Sequence, residues 1–181
     1  MNMNMSPDAL EQTLKSYIRD IPNFPQEGIL FRDITPLLQN AGALRMTINA
    51  LLAPYAAEKP DYIVGIESRG FLFGIPMAYE LGIGFIPIRK KGKLPAETIG
   101  EDYTLEYAVN SIEAHKDSVK PGQKVVIVDD LLATGGTAGA SISLMRRLGA
   151  DIIGLSFVIE LMALRGRDKL SDIPVHCLLK Y

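Results

Sequence analysis

Two consecutive aspartates and the glycine-rich run behind them form the segment of this 181-residue sequence best suited to chemistry. Asp129 and Asp130 follow the apolar run 125–128, and their carboxylate oxygens can accept hydrogen bonds from neighbouring hydroxyl groups. Residues 134–137 read Thr-Gly-Gly-Thr directly before a predicted helix, where free backbone N–H groups and the helix dipole favour an anion. Carboxylates that can bind neighbouring hydroxyls, next to a loop that can bind an anion, predict a site for a ribose phosphate. The alternative is an ordinary tight turn between a strand and a helix.

A second candidate anion site follows the apolar run 62–66. Arg69 and Gly70 stand there at a predicted turn from strand to helix, where a guanidinium group and free N–H groups suit an anion. The alternative is an exposed arginine in an ordinary turn. Neither candidate site has the spacing of a P-loop or of a dinucleotide-binding G-x-G-x-x-G motif.

The third charged feature is a cluster of cations followed by an acidic stretch. The run 89–93 holds Arg89 and three lysines, and residues 97–106 are rich in acid. A solvated surface loop is the simplest interpretation of such a pattern. Because the segment is long and follows the predicted strand 83–88, it also fits a cover over a polyanionic ligand.

Short apolar runs alternate with helical patterns and predict the sheet that positions these three features. Continuous apolar runs, rather than alternating ones, are typical of strands buried on both faces of a parallel sheet. The helical segments 71–81 and 137–148 lie between them, so we predict an α/β fold with an open, mainly parallel twisted sheet flanked by helices. Ligands in such sheets bind beyond the carboxyl ends of the strands. The predicted strands are residues 62–66, 83–88, 125–128, 152–159 and 173–179.

The N-terminal part of the chain predicts helices separated by an irregular segment. Ser6, Pro7 and Asp8 signal a helix start, and apolar residues at helical spacing continue the pattern to Pro22. Residues 23–38 show no clear period. A second helical stripe then extends from Leu44 to Tyr55.

Composition and charge exclude several classes of protein. The net charge is −2, from 19 basic and 21 acidic residues, which disfavours a nucleic-acid-binding surface. One cysteine and two histidines argue against a disulfide framework and against a metal site built by the protein. Because we find neither a run of about 20 apolar residues nor a secretory signal, we expect a cytoplasmic protein that does not insert into a membrane.

Residues 125–137 resemble the phosphoribosyl pyrophosphate motif of the type I phosphoribosyltransferases, and the resemblance extends over nearly the whole chain. It implies the fold of that family, as one domain over residues 1–181. It also implies that Asp129 and Asp130 meet the ribose hydroxyls, while the following loop wraps the 5′-phosphate. The loop residues concerned are Ala133, Thr134, Gly135, Gly136 and Thr137.

The resemblance assigns the second feature to pyrophosphate. Glu67, Ser68 and Arg69 match the family's pyrophosphate loop, and Arg69 is expected to assist catalysis there. Members of the family often have a cis non-proline peptide in this loop, which would lie here between Glu67 and Ser68.

The cationic feature matches the family's mobile lid, near residues 89–107. Lys93 is expected to contact pyrophosphate, and Arg89 matches a residue that reaches the neighbouring subunit's site, so we expect a homodimer. Closure of the lid would exclude water from the activated sugar. After the lid, Glu106 is the family's candidate catalytic acid, near N7 of the purine.

The irregular N-terminal segment resembles the base-binding hood of the family members that use adenine. Residues 1–40 would then form the N-terminal helix and hood, and residues 41–181 the core. Backbone groups of Leu30 and Arg32 are expected to read the adenine edge, with Phe31 beside the ring plane.

Ala133 separates this chain from the members that use hypoxanthine or guanine. Those members carry an aspartate at this position, and the proposed role of that aspartate is proton transfer at N7 of the purine. The alanine of this chain cannot transfer a proton. The resemblance therefore implies transfer of a phosphoribosyl group from phosphoribosyl pyrophosphate to adenine, giving AMP and pyrophosphate. Mg²⁺ is the expected cofactor, bound mainly through pyrophosphate and ribose oxygens. The alternatives are a transferase for xanthine or orotate, or a phosphoribosyl pyrophosphate-sensing regulator, although little of the chain is left for a DNA-binding module.

Overall fold

A small antiparallel hairpin and three helices make up the N-terminal part of the protein. The computed structural model describes residues 5–105, 108–170 and 172–181. These residues form two compact units, Met1–Ala50 and Leu51–Tyr181. The first unit contains α1 (Pro7–Lys15), β1 (Arg19–Pro22), β2 (Leu30–Asp33), α2 (Thr35–Gln39) and most of α3 (Ala41–Leu52), which a short 3-10 helix, Ala53–Tyr55, follows.

The first helix is shorter than the sequence predicts. The Ser6 hydroxyl caps it by accepting the N–H of Ala9 at 3.3 Å, but α1 ends at Lys15 rather than near Pro22. Residues Arg19–Pro22 instead pair antiparallel with β2. The ladder gives these residues backbone partners, and the proline disfavours a helical conformation in the residue before it. The helical prediction for 16–22 was therefore wrong.

The second unit is built on a seven-stranded sheet. Its strands are β3 (Tyr62–Ile66), β4 (Gly84–Lys90), β5 (Thr98–Leu105), β6 (Ala108–His115), β7 (Lys124–Leu132), β8 (Asp151–Glu160) and β9 (Val175–Lys180). Its helices are α4 (Gly70–Leu81) and α5 (Gly136–Arg147), with short 3-10 helices at Met162–Leu164 and Gly166–Leu170.

The sheet order confirms the predicted mainly parallel architecture. The strands lie in the order β5-β6-β4-β3-β7-β8-β9, and the five from β4 to β9 are parallel. Strands β3, β7 and β8 are buried almost throughout, with Ile63, Val64 and Ile127 fully enclosed. The continuous apolar runs are therefore explained as the sequence predicts, by burial of these strands on both faces, since helices cover both faces of a central parallel strand.

The hairpin of β5 and β6 was not predicted. The two strands pair with each other along their length, whereas β6 pairs with β4 only at Arg89 and Lys90. Ile112 and Ala114 of β6 are buried, and Ile99 and Tyr103 of β5 pack against the same core. Most of the predicted charged loop is therefore strand.

No helix within the described ranges is long and apolar enough to cross a bilayer.

Candidate active site

The glycine-rich loop lies where the sequence predicts it, between the end of β7 and the start of α5. Gly135 has a left-handed backbone (φ +78°) immediately before the first residue of α5. A β-carbon at this position would lie 2.5 Å from the carbonyl oxygen of Gly166, so only glycine fits. Because glycine has no side chain that could cap α5, the first N–H groups of the helix remain suited to an anion.

Beside this loop is a cavity of about 210 Å³ beyond the carboxyl end of β7. The structure brings the first two charged features together there, because Arg69 from the turn after β3 reaches Asp130 near the carboxyl end of β7. The lining residues are Arg69, Phe157 and residues 129–138, which include Asp129, Asp130, Ala133, Thr134, Gly135, Gly136 and Thr137.

The two aspartates in the cavity are held by different partners. Asp130 is buried and pairs with Arg69, whose Nε lies 2.8 Å from its Oδ2. Asp129 accepts the backbone N–H of Asp130 at 2.9 Å. Loss of surrounding water raises the pKa of both carboxyls, and the charge of Asp130 raises that of Asp129 further. Hydroxyl donors from a ligand would supply the hydrogen bonds that water cannot give here.

The turn after β3 contains the cis peptide bond implied by the resemblance, between Glu67 and Ser68. The Glu67 carboxylate is bound within the chain. Arg89 donates to it from Nε and Nη2, each at 3.2 Å, and the backbone N–H of Lys90 donates at 2.9 Å. The hydrogen bonds from Arg89 are the main reason that the pKa of Glu67 is lowered. Arg89 of β4 therefore lies against the turn after β3 in the same subunit.

Among the residues of the predicted lid that the structure describes, 89–105, only the 91–97 connection has no regular structure. Lys93 is exposed in this connection, while its backbone is hydrogen-bonded to Arg89 and Glu113. Glu106 lies outside the described residues.

The predicted base-binding residues lie on β2, within the first unit. Leu30 is exposed and Phe31 half-buried. The ring of Phe31 meets that of Phe24 edge to face, with centroids 5.1 Å apart. Arg32 pairs with Asp20 of β1. The backbone of β2 thus lies next to an aromatic pair.

Comparison with known proteins gives the family. The model of the phosphoribosyl transferase domain matches residues 35–178. The chain belongs to the phosphoribosyl transferase family. This confirms the membership predicted from the motif at 125–137.

Relatives within the phosphoribosyl transferase family are similar over nearly their whole length. The chain is 54% identical to the adenine phosphoribosyltransferase of Trichodesmium erythraeum (strain IMS101) and 56% identical to that of Carboxydothermus hydrogenoformans, covering 93% of this chain and 99% of each relative. The solved adenine phosphoribosyltransferase of Rhodothermus marinus matches with a TM-score of 0.92 and 48% identity, over 96% of this chain and 99% of that one. The Saccharomyces cerevisiae enzyme, solved with an imino-altritol bisphosphate and adenine, matches with a TM-score of 0.89 and 44% identity, over 94% and 99%.

Three residues of the candidate site were not predicted from the sequence. Gly166 packs so closely under the glycine-rich loop before α5 that a β-carbon on it would lie 2.2 Å from the carbonyl oxygen of Ala133. Phe157 of β8 lines the cavity. Glu113 of β6 binds the backbone next to Lys93. Phe157 resembles an ordinary core residue, and nothing near Gly166 or Glu113 in the sequence signals a partner more than ten residues away.

Proposed function

We propose that this chain transfers the phosphoribosyl group from phosphoribosyl pyrophosphate to adenine, giving AMP and pyrophosphate. The main supporting observation is the cavity beside β7. Two desolvated carboxylates, Arg69 and the glycine-rich loop at the uncapped N-terminus of α5 all line it. Adenine is favoured by relatives that are 54% and 56% identical over almost their full length and are named adenine phosphoribosyltransferases.

The sugar phosphate is held by the carboxyl end of β7 and the loop that follows it. Asp129 and Asp130 accept hydrogen bonds from the ribose hydroxyls, while residues 133–137 surround the 5′-phosphate with N–H groups and the hydroxyls of Thr134 and Thr137. The geometry of the α5 N-terminus supports this orientation because the helix dipole favours negative charge there.

Transfer breaks the bond between the anomeric carbon and the pyrophosphate oxygen and forms the bond from that carbon to N9 of adenine. Positive charge grows on the sugar as negative charge grows on the departing pyrophosphate. Arg69 and Lys93 lie in the segments proposed to face that group and stabilise its charge. Glu106 accepts the proton that leaves N7 of adenine as N9 forms its bond to the sugar, since Ala133 has no group that could do so.

Mg²⁺, when bound, neutralises part of the charge on the pyrophosphate. Within the described ranges, no group of three or more histidine, cysteine or acidic side chains could hold a metal ion. We therefore propose that the ion is carried mainly by pyrophosphate and ribose oxygens. Asp129 and Asp130, which line the cavity, are the carboxylates proposed to lie beside the ribose.

Adenine is read by the first unit in this proposal. Backbone groups of Leu30 and Arg32 bind the polar edge of the base, and Phe31 lies beside its ring. The exposure of Leu30 and the aromatic pair of Phe24 and Phe31 support an apolar surface of the right chemistry.

A homodimer is the proposed assembly. Leu72, Ile75 and Tyr79 form an exposed apolar stripe along one face of α4, and such a stripe is typical of a surface that another protein covers. In a dimer, Arg89 would lie near the partner's site while Glu67 of its own subunit holds its guanidinium group. Light scattering should give twice the chain mass, and a monomer for Tyr79→Glu; a wild-type monomer would contradict the proposal.

The cytoplasm is the proposed location. Cys177 is a free thiol. Burial is the main reason that its pKa is raised to about 12, so little of the reactive thiolate forms at neutral pH. A lone reduced cysteine suits a reducing compartment. Cell fractionation with a periplasmic marker as control tests this.

Steady-state turnover with several bases tests the activity itself. Adenine, hypoxanthine, guanine, xanthine and orotate are each offered with phosphoribosyl pyrophosphate and Mg²⁺, and pyrophosphate release is measured. We expect turnover with adenine alone. Preference for another base would replace adenine as substrate, whereas binding without turnover, together with retention of DNA, would favour the regulator.

The role of Glu106 is tested separately. Glu106→Gln should lower kcat with adenine by about 100-fold while leaving the KM for phosphoribosyl pyrophosphate near its wild-type value. Glu97→Gln, a change at an exposed glutamate of the same segment, is the matched control. A wild-type kcat in Glu106→Gln would remove the catalytic role.

A further inference from the structure

The peptide of Lys93 is held from both sides. Its N–H donates to Oε1 of Glu113 at 3.1 Å, and its carbonyl oxygen accepts from Nη1 of Arg89 at 3.1 Å. Oε1 of Glu113 also accepts the N–H of Leu94 at 3.2 Å. The 91–97 connection has no regular structure, but these hydrogen bonds fix its backbone at Lys93, whose side chain is a cation.

The carboxylate that makes this contact is itself firmly placed. Glu113 is only 6% exposed and stands on β6 between the buried residues Ile112 and Ala114. Its second oxygen lies 3.4 Å from the hydroxyl of Thr98. A buried carboxylate is costly unless it is hydrogen-bonded, so the 93–94 backbone is the partner that makes this burial tolerable.

The second contact connects Lys93 to the proposed pyrophosphate loop. Arg89 is the register partner of Glu113 across β4 and β6. Its guanidinium group is held in turn by Glu67, directly before the cis peptide. Glu67, Arg89 and Glu113 therefore join the turn after β3 to the backbone of Lys93.

The Lys93 side chain is left free by this arrangement. It is exposed, and its ammonium group has no hydrogen-bond or ion-pair partner in the part of the chain that the structure describes. A fixed backbone with a free cation is the arrangement expected of a residue that waits for an anionic ligand, since less freedom is lost when the ligand binds.

We propose that Glu113 is a positioning residue for pyrophosphate, which it serves by fixing the peptide from which the Lys93 ammonium group reaches the ligand. The inference rests on the proposed transferase function and on the assignment of Lys93 to pyrophosphate. Glu113 itself does not touch the substrate. Its effect is therefore carried entirely by Lys93.

The test compares Glu113→Ala, Glu113→Gln and Lys93→Ala with the double variant Glu113→Ala/Lys93→Ala. The KM is measured for phosphoribosyl pyrophosphate in the forward reaction, for pyrophosphate in the reverse reaction, and for adenine. We expect Glu113→Ala to raise the KM for both pyrophosphate-bearing substrates about tenfold and to leave that for adenine unchanged. Glu113→Gln should stay within about threefold of wild type, because its amide oxygen can still accept both N–H groups.

The double variant separates positioning from a general structural role. If Glu113 acts through Lys93, the double variant has the same KM for pyrophosphate as Lys93→Ala alone. Additive effects, an equal rise in the KM for adenine, or a Glu113→Gln variant as poor as Glu113→Ala would each overturn the inference. Glu101→Ala is the matched control, because this glutamate of the same hairpin binds Ser143 and Arg147 instead of the connection.

Two further outcomes are distinguishable. If Glu113→Ala does not fold, Glu113→Asp is used instead. The shorter side chain of aspartate keeps the charge but cannot reach both N–H groups. An unchanged KM for pyrophosphate in Glu113→Asp would then overturn the inference. A Lys93→Ala variant with wild-type KM values overturns it while leaving the transferase activity standing. Absence of wild-type turnover with every base would instead contradict the proposed function.

Discussion

The two sides of the candidate site, which we propose to bind anions, are built by opposite means. On the side of the glycine-rich loop before α5, the carboxylates are desolvated, and the glycines allow the backbone to pack closely. On the side of the 91–97 connection, the cations are exposed and carboxylates are used inside the chain, Glu67 to hold Arg89 and Glu113 to hold the Lys93 peptide. The first side is a preformed cavity, and the second is a set of side chains fixed at their backbones.

This difference has an electrostatic signature. The pKa of Asp129 is raised, mainly by loss of water, so its ionised form costs stability once the pH exceeds 3.8. The pKa of Glu67 is lowered, mainly by hydrogen bonds from Arg89, so its ionised form adds stability. An acid that serves a ligand is thus expected to destabilise the free protein, whereas an acid that serves the fold stabilises it.

The largest expected effect breaks the preformed cavity. Gly135→Val forces a side chain into a left-handed backbone and against the Gly166 carbonyl oxygen, which would lie 2.5 Å from its β-carbon. We expect kcat/KM for phosphoribosyl pyrophosphate to fall by at least about 100-fold. The control is Gly139→Ala in α5, where a β-carbon would meet nothing within 4 Å. Wild-type KM in Gly135→Val would contradict the assignment of the loop.

An isosteric amide at Asp129 should separate function from stability. Asp129→Asn is expected to lower kcat/KM for phosphoribosyl pyrophosphate by more than about tenfold, yet to raise the free energy of unfolding at pH 7 by about 1 kcal/mol. Because the pKa of Asp129 is raised, the stability gain should shrink as the pH falls through the raised pKa and should vanish below 3.8, where the aspartate becomes protonated in both states. Denaturant unfolding across this pH range measures it, and a destabilised variant at pH 7 would reverse the expected sign.

The same change on the other side should have the opposite sign. Glu67→Gln removes the charge that Arg89 and the Lys90 N–H bind, so the free energy of unfolding should fall by about 1 kcal/mol at pH 7. The loss should disappear as the pH falls below 4.5 through the lowered pKa, since wild-type Glu67 is then protonated as well. Melting curves at several pH values test this, with Glu97→Gln, an exposed residue, as control. A pH-independent loss would mean that packing, not charge, is responsible.

The smallest effect concerns the free surface cations. Lys91 is exposed, and its backbone N–H is bound to the carbonyl of Ser111. We expect Lys91→Ala to raise the KM for phosphoribosyl pyrophosphate only about twofold at low salt, and not at all at 0.5 M salt, because solvent ions screen exposed charges. A salt-independent effect would show a direct contact and would make Lys91 equivalent to Lys93.

Local patterns explain the parts of the fold that could be predicted. The five parallel strands were found because burial on both faces leaves continuous apolar runs. The hairpin of β5 and β6 was missed because its strands show no continuous apolar run: Glu101, Asp102 and Glu113 interrupt the apolar residues, and a buried glutamate gives no sign of its burial in the sequence. The first helix was extended too far because Tyr17 and Ile18 keep a helical spacing, although the backbone of Arg19–Pro22 pairs with a strand further along the chain.

By itself, the sequence determined the five parallel strands, the glycine-rich turn before α5 and the two acids ahead of it, because glycine conformation and apolar periodicity act over a few neighbouring residues. Only the tertiary structure decided that Gly166 lies beneath the loop, that Arg69 pairs with Asp130, and that Glu113 holds the peptide of Lys93. Each of these contacts joins residues between 20 and 61 positions apart along the chain. Such contacts depend on how the strands are ordered in the sheet, and local residue types do not encode that order.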